Sequence, residues 1–332
     1  MWRFQMANVF RAIGLSVLLL GLTLSGCRAP VATPSVVVSI KPIHALVAGV
    51  MEGVEEPGLL MDGMASPHTY QMRPSDARQL ARADLVIWVG PGVEGTFPET
   101  LDMLPAAVIT MQLEETPGLS LLPVRTGSLH LEADDPQTPH VEAQHVDGQH
   151  EGMDPHIWLD PLNAVVLTNA FVAQLSALDP ENAGIYRQNG DAQIARLRAL
   201  DAELRETLAP ISSVPFMTFH DAFQYFEAAY GLNGVASIAI SPDRMPGART
   251  VTALRREIQE QGVVCVFTEP QFEPQLLQTV LEGSGAWAGT LDPLGENIAP
   301  GPRAYEAILR QLAHNMVADL GSPHSSEGST SP

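Results

Sequence analysis

The sequence predicts an α/β protein of two lobes, each built on a parallel sheet, joined by one long helix. Three observations lead to that class. Short β-branched runs alternate with segments of helical period over 36–111, the pattern of strands that reach parallel neighbours through helices. One segment, 180–208, holds helical spacing throughout; at 1.5 Å per residue it would span roughly 43 Å, longer than one small lobe needs. The strand–helix rhythm then restarts at 214. A chain of 332 residues accommodates two domains, and 45% hydrophobic against 17% charged residues supplies enough apolar material for their cores.

Taken in order, 36–40 (VVVSI) reads as a buried strand and 42–51 as the helix after it. A short extended piece at 59–61 precedes a helix over 74–82, with Ala77, Leu80 and Ala81 on one face. Strands follow at 85–89 and 107–111. Residues 126–155 break the rhythm: His130, His140, His145 and His150 alternate with acidic residues, and no Lys or Arg occurs between 126 and 186. A stretch this long without apolar period reads as a flexible, His- and acid-rich loop (126–153). Residues 161–178 form a helix ended by Asp179-Pro180. The long helix places Tyr186, Ile194, Leu197, Leu200, Leu204 and Leu208 inward and Arg196, Arg198, Glu203 and Arg205 outward, and Pro210 stops it. Strands at 214–219, 235–240, 263–268 and 288–291 then alternate with helices at 222–230, 246–261, 274–282 and 304–320. The domain plan is therefore an N-lobe over 36–179, a linker helix over 180–209, a C-lobe over 210–320 and a polar tail over 321–332.

Before the first strand, Arg3 and Arg11 precede the apolar run 13–24. That run is too short for an ordinary membrane span and suits a signal-peptide core. It ends in Leu24-Ser25-Gly26-Cys27, which resembles a bacterial lipobox; 1–26 is then removed, Cys27 is acylated, and 27–35 is a tether. Cys265, the other cysteine, would stand alone as a small buried hydrophobe in a β-rich run. The formal charge of −20 repels phosphate backbones, which argues against nucleic acid and for cations as partners. Lys41 is the only lysine, and no phosphate-cradling G-x-x-x-x-G-K-[ST] stretch exists.

The candidate site residues are His68 in Ser66-Pro67-His68-Thr69-Tyr70, His156 in Asp154-Pro155-His156-Ile157-Trp158, His220 in Phe219-His220-Asp221-Ala222-Phe223, and Asp292 in Thr290-Leu291-Asp292-Pro293-Leu294-Gly295. Open α/β sheets place ligand groups at the carboxyl ends of strands, and His220 follows one directly. Imidazoles with one carboxylate suit Zn²⁺, although the spacing matches no local metal motif and also fits satisfied polar caps.

These words, together with Ile40-Lys41-Pro42-Ile43-His44, Tyr70-Gln71-Met72-Arg73-Pro74-Ser75-Asp76, Asp84-Leu85-Val86-Ile87-Trp88-Val89-Gly90 and Phe267-Thr268-Glu269-Pro270-Gln271-Phe272, resemble the ZnuA-like, zinc-binding solute-binding proteins of bacterial ABC transporters. The likeness runs from about Val36 to Leu320. It implies two Rossmann-like lobes, a rigid connecting helix and a metal in the cleft between the lobes. Position by position it implies His68 and His156 as N-lobe ligands, His220 as the C-lobe ligand, and Asp292 or a water as the fourth. Among weaker candidates, Glu269 reads either as a group that hydrogen-bonds a ligand histidine or as a structural residue. Some relatives carry a Glu where this chain has Pro67, and some pair a Cys matching Cys265 with one near the C-terminus, where this chain reads Ala318-Asp319; that bridge is absent. The family often has a loop such as the one holding His130, His140, His145 and His150, which implies weak metal capture there. His44 reads as a packing or capping residue, with lining of the cleft as the alternative, and His314 as a solvated one.

The resemblance implies capture of extracytoplasmic Zn²⁺ by a monomer held at the membrane by its lipid, and delivery to a membrane permease driven by a cytoplasmic ATPase. The alternatives are a manganese-binding or adhesin-type relative and, in a different class, a zinc-dependent hydrolase.

Overall fold

The computed structural model describes residues 33–125, 152–239, 248–272 and 274–321. Cys27, His130, His140, His145 and His150 lie outside the described residues, as do 1–32 and 322–332.

The N-lobe opens with β1 (Val36–Ile40), whose five side chains are all buried, and passes without a loop into α1 (Lys41–Met51). Pro42 sits in the first turn of α1, where its missing N–H costs nothing. Then come β2 (Gly58–Met61), α2 (Pro74–Leu80), β3 (Leu85–Trp88), the short α3 (Phe97–Leu101) and β4 (Ile109–Gln112). All pairings are parallel, in the order β2-β1-β3-β4. The C-lobe repeats this plan. Its strands are β5 (Phe216–His220), β6 (Gly234–Ala239), β7 (Cys265–Thr268) and β8 (Trp287–Thr290), all parallel in the order β6-β5-β7-β8.

Along the chain, the two sheets are separated by α4 (Pro161–Leu178) and α5 (Ala183–Leu208), which pack on each other. Helix α4 is long and apolar enough to cross a bilayer, but its buried face serves the core. Gly190 permits the close approach of the pair: a Cβ there would lie 2.4 Å from Val172 Cγ2. The linker helix begins at Ala183, three residues later than the sequence suggests. Asp179 accounts for the delay, because its carboxylate accepts from Asn182 Nδ2 and Tyr186 Oη and holds the chain in a turn. The C-lobe helices are α6 (Gln224–Tyr230), α7 (Ala248–Glu260), α8 (Pro274–Leu281) and α9 (Ala304–Leu320). Helix α9 packs on both α1 and α5. Three charges expected to face outward from α5 are engaged: Arg196 with Glu306, Glu203 with Arg310 on α9, and Arg205 over the Tyr230 ring.

One apolar core runs continuously through both lobes, from Val36 and Ile87 through Trp158 and Tyr186 to Phe216, Phe267 and Leu312. Polar ties cross with it. Lys41, buried at the start of α1, donates to the carbonyls of Gly295 and Glu296 in the C-lobe. Trp158 donates from Nε1 to the Pro293 carbonyl, and Tyr305 from its hydroxyl to the Trp158 carbonyl. Gln271 reaches the Gly63 carbonyl at 2.8 Å. Cys265 is a free, buried thiol; burial first, and then the nearby Asp319 carboxylate, push its pKa up, so it is a poor nucleophile.

Replacing Lys41 with Met should leave both C-lobe carbonyls without that donor. We expect a loss of roughly 1–3 kcal/mol in urea unfolding, the cost of stranding buried hydrogen-bonding groups. An unchanged midpoint would show that the tie carries no weight.

Candidate metal centre

Three segments bring imidazoles to one point between the sheets. His68 stands in a single 3-10 turn, Pro67–Thr69, on the connection leaving β2. Pro67 starts that turn and Tyr70 closes it through its N–H to the Pro67 carbonyl. His156 caps the 3-10 turn Ile157–Leu159, whose three apolar side chains are buried and anchor it. His220 is the last residue of β5. Glu269 follows the last residue of the adjacent strand β7. The parallel register aligns Thr218 with Phe267, so two residues further on His220 comes level with Glu269. Adjacent carboxyl-terminal strand ends are where such folds gather ligand groups.

The rings of His68, His156 and His220 have centroids 5.0–5.5 Å apart and meet edge to face. One nitrogen from each lies within 4.8 Å of the other two. His156 and His220 are buried, and His68 is half-buried. In every ring Nδ1 is engaged: with the Gly92 carbonyl at 3.1 Å for His68, with Asp154 Oδ1 at 2.8 Å for His156, and with Glu269 Oε1 at 2.8 Å for His220. An acceptor on Nδ1 keeps the proton there and directs the Nε2 lone pair outward. His156 Nε2 is buried and has no partner among the described residues. Tetrahedral Zn²⁺ with nitrogens at 2.0–2.1 Å holds them about 3.4 Å apart, so small ring movements would bring these three onto one ion.

Asp292 does not join them. Its Oδ1 accepts from the N–H groups of Leu294 and Gly295, and its Oδ2 from that of Glu296. It shapes the loop whose carbonyls receive Lys41, and it is outside the imidazole group. The Asp-Pro step of a strand-end loop looks the same in sequence whether its carboxylate faces a metal or its own backbone. Glu269 Oε1 lies 2.8 Å from His220 Nδ1. His44 is buried on α1 with Nε2 on the Pro57 carbonyl, and His314 is exposed on α9.

Three contributors escape sequence reasoning. Asp154 accepts from both the N–H and Nδ1 of His156; the carboxylate two residues before a histidine was the available sign. The Gly92 carbonyl has no signal at all. Arg125 pairs with Glu227 at 2.5 Å and lies 3.7 Å from Asp221, the residue after His220. Leu122 and Val124 pair through their backbones with Asp154 and Gly152.

The electrostatics divide the rings. Burial, then the neighbouring His156 and His220, hold His68 down to about 2, so its imidazole is neutral at any ordinary pH. Burial alone would lower His220 too, but Glu269, Asp221 and Asp154 outweigh it and raise its pKa. Burial raises Asp221 against the pull of Arg125, and burial pushes Glu227 up to about 7.

Fold and site together define a two-lobed α/β binding protein with a nitrogen-rich cleft. Residues 36–318 match the family model for ZnuA, the periplasmic component A of the zinc-uptake complex. The chain belongs to that family. It is 36% identical over 301 residues to the high-affinity zinc uptake system protein ZnuA of Brucella abortus (strain 2308), covering 85% of this chain and 90% of the relative. Against the protein of the same name from Yersinia pestis it is 33% identical over 301 residues, 87% and 92% of the two chains. A ZnuA crystal structure aligns with TM-score 0.73 at 24% identity, over 87% of this chain and all of that one. The periplasmic zinc binding protein TroA from Treponema pallidum aligns with TM-score 0.69 at 22% identity, over 87% and 99%. These solved structures corroborate the fold.

The lowered pKa of His68 has a signed consequence. The unfolded chain takes up a proton at His68 below about pH 6.5, while the folded metal-free protein does not, so folded stability falls as pH drops through that value. Urea titrations from pH 7.5 to 5 should therefore show a flatter acid limb for His68→Ala than for the parent. Identical slopes would contradict the assignment.

Proposed function

We propose that this chain is an extracytoplasmic zinc-binding protein that captures Zn²⁺ between its lobes and delivers it to an ABC-transporter permease for uptake. The observation that carries this reading is the convergence of three imidazoles whose Nδ1 atoms are all occupied. Zn²⁺ would bind Nε2 of His68, His156 and His220, with a water in the fourth position, since the Asp292 carboxylate is committed to its own loop. An all-imidazole protein donor set favours Zn²⁺ over Mn²⁺, which prefers oxygen ligands. The family membership and the names of the relatives support the same cargo.

The remaining assignments follow the same reading. Cys27 carries the lipid that holds the body near the membrane, with the formal charge helping cations approach. His130, His140, His145 and His150 capture metal weakly, concentrating cations or reporting their level. The protein acts as a monomer beside a permease and its ATPase. It is a carrier and not an enzyme: the carboxylates bonded to the imidazoles, Asp154 and Glu269, are placed to orient ligands.

Calorimetry tests this directly. The parent should bind one Zn²⁺ tightly and keep it in excess Mn²⁺. The double variant His68→Ala/His220→Ala should lose at least ~100-fold in affinity, and Glu269→Gln, which alters an outer partner, about 10–100-fold. Unchanged affinity in the double variant would remove the site. Zinc-dependent ester hydrolysis by the parent would favour an enzyme instead.

Binding should also release a proton from His220, whose pKa Glu269 raises. Zinc affinity should therefore fall as pH is lowered. Heats measured in buffers of different ionisation enthalpy should show less proton release for Glu269→Gln than for the parent.

A further inference from the structure

The loop after β3 runs Val89-Gly90-Pro91-Gly92-Val93-Glu94 and contains no histidine, yet it touches two of the three histidine segments. The Gly92 carbonyl accepts from His68 Nδ1 at 3.1 Å. On its other side Gly92 lies against Pro155, which sits between Asp154 and His156: a Cβ at Gly92 would fall 2.8 Å from Pro155 Cβ and 3.1 Å from its Cγ. A proline ring is stiff and cannot swing aside as a flexible side chain can. One residue thus spaces the His68 turn from the His156 turn.

The loop is held by a carboxylate with no role in the chemistry proposed above. Glu94 is 1% exposed. It accepts from the Val89 N–H at 3.2 Å and from the Gly90 N–H at 3.0 Å. The backbone closes the same turn, with the N–H groups of Val93 and Glu94 both on the Gly90 carbonyl. Thr96 adds a bond to the Tyr70 carbonyl, next to the His68 turn. Burying a carboxylate away from a cation is costly, and here its bonds go to the backbone amides that shape this loop.

We propose that the Gly90–Glu94 turn is the positioning element of the metal centre: Gly92 sets the spacing and tautomer of His68 against His156, and Glu94 locks the turn that presents it. Gly92 and Glu94 are positioning residues and touch no metal. The proposal rests on the zinc-site reading for its affinity readout, but not for its second readout, the imidazole tautomer in metal-free protein.

The test compares the parent, Gly92→Ala, Glu94→Gln and the control Gly184→Ala, whose Cβ meets nothing within 4 Å. Glutamine keeps the shape of Glu94 but sets an NH₂ donor against one of the two N–H donors. In metal-free, full-length protein, ¹⁵N-detected histidine spectra should show His68 with its proton on Nδ1 in the parent and in Gly184→Ala. Gly92→Ala should shift that population towards the other tautomer or broaden the signal, and Glu94→Gln should do the same more weakly. Zinc affinity by calorimetry should fall by about 10–100-fold in Gly92→Ala, with a thermal midpoint within a few degrees of the parent. Should Glu94→Gln fold poorly, Gly92→Ala alone decides. An unchanged His68 tautomer together with zinc affinity within twofold of the parent would overturn the proposal. If the parent itself fails to bind zinc, the zinc reading fails, and the tautomer shift still decides the positioning claim.

Discussion

Everything in the cleft depends on a division of labour inside each imidazole. Nδ1 of each ring is bound to a fixed acceptor, and Nε2 of His156 is buried with no partner among the described residues. The acceptors differ: a backbone carbonyl for His68, and carboxylates for His156 and His220. Their common effect is to settle the tautomer and the ring plane before any ion arrives. The differences tune the site. The carbonyl partner adds no charge, so burial and the two neighbouring rings keep His68 neutral. Carboxylates around His220 make it more basic, a stronger donor that a proton can also contest.

That arrangement has value only if the two lobes stay in register, because His68 and His156 belong to one and His220 to the other. The structure meets the need with a shared core rather than a hinge. Apolar packing is continuous from β1 to α9, and α5 packs on α1 and α4 of the N-lobe and on α9 of the C-lobe. Lys41, Trp158 and Gln271 add hydrogen bonds across the divide. A rearrangement that opened the cleft widely would have to break buried packing, which favours a preformed site and small ring movements.

Much of the fold was legible because its signals are local. The inner strands β1, β3, β5 and β7 are buried runs rich in Val, Ile and Phe, and cover on both faces makes those runs continuous rather than alternating. Helix ends carried proline and Asp marks. The errors are also physical. Helix α5 starts late because Asp179 makes side-chain bonds that helical spacing cannot register. The short α3 has too few residues to show a period. Arg196 and Glu203 do face outward, but their partners, Glu306 and Arg310, lie more than a hundred residues away, so no local pattern shows the pairing.

The sequence by itself determined the two-lobed α/β class, the long linker, the three histidines worth watching and the likeness to zinc-binding transport proteins, since each is written in composition, periodicity or short words. Only the tertiary structure decided which of the candidates meet. It brought His68, His156 and His220 together and turned Asp292 back onto its own loop. It also revealed Asp154 and the Gly92 carbonyl as partners of these rings. The reason is that a ligand's role rests on the direction of a lone pair, and that direction is set by partners distant in the chain and by a backbone carbonyl that every residue possesses.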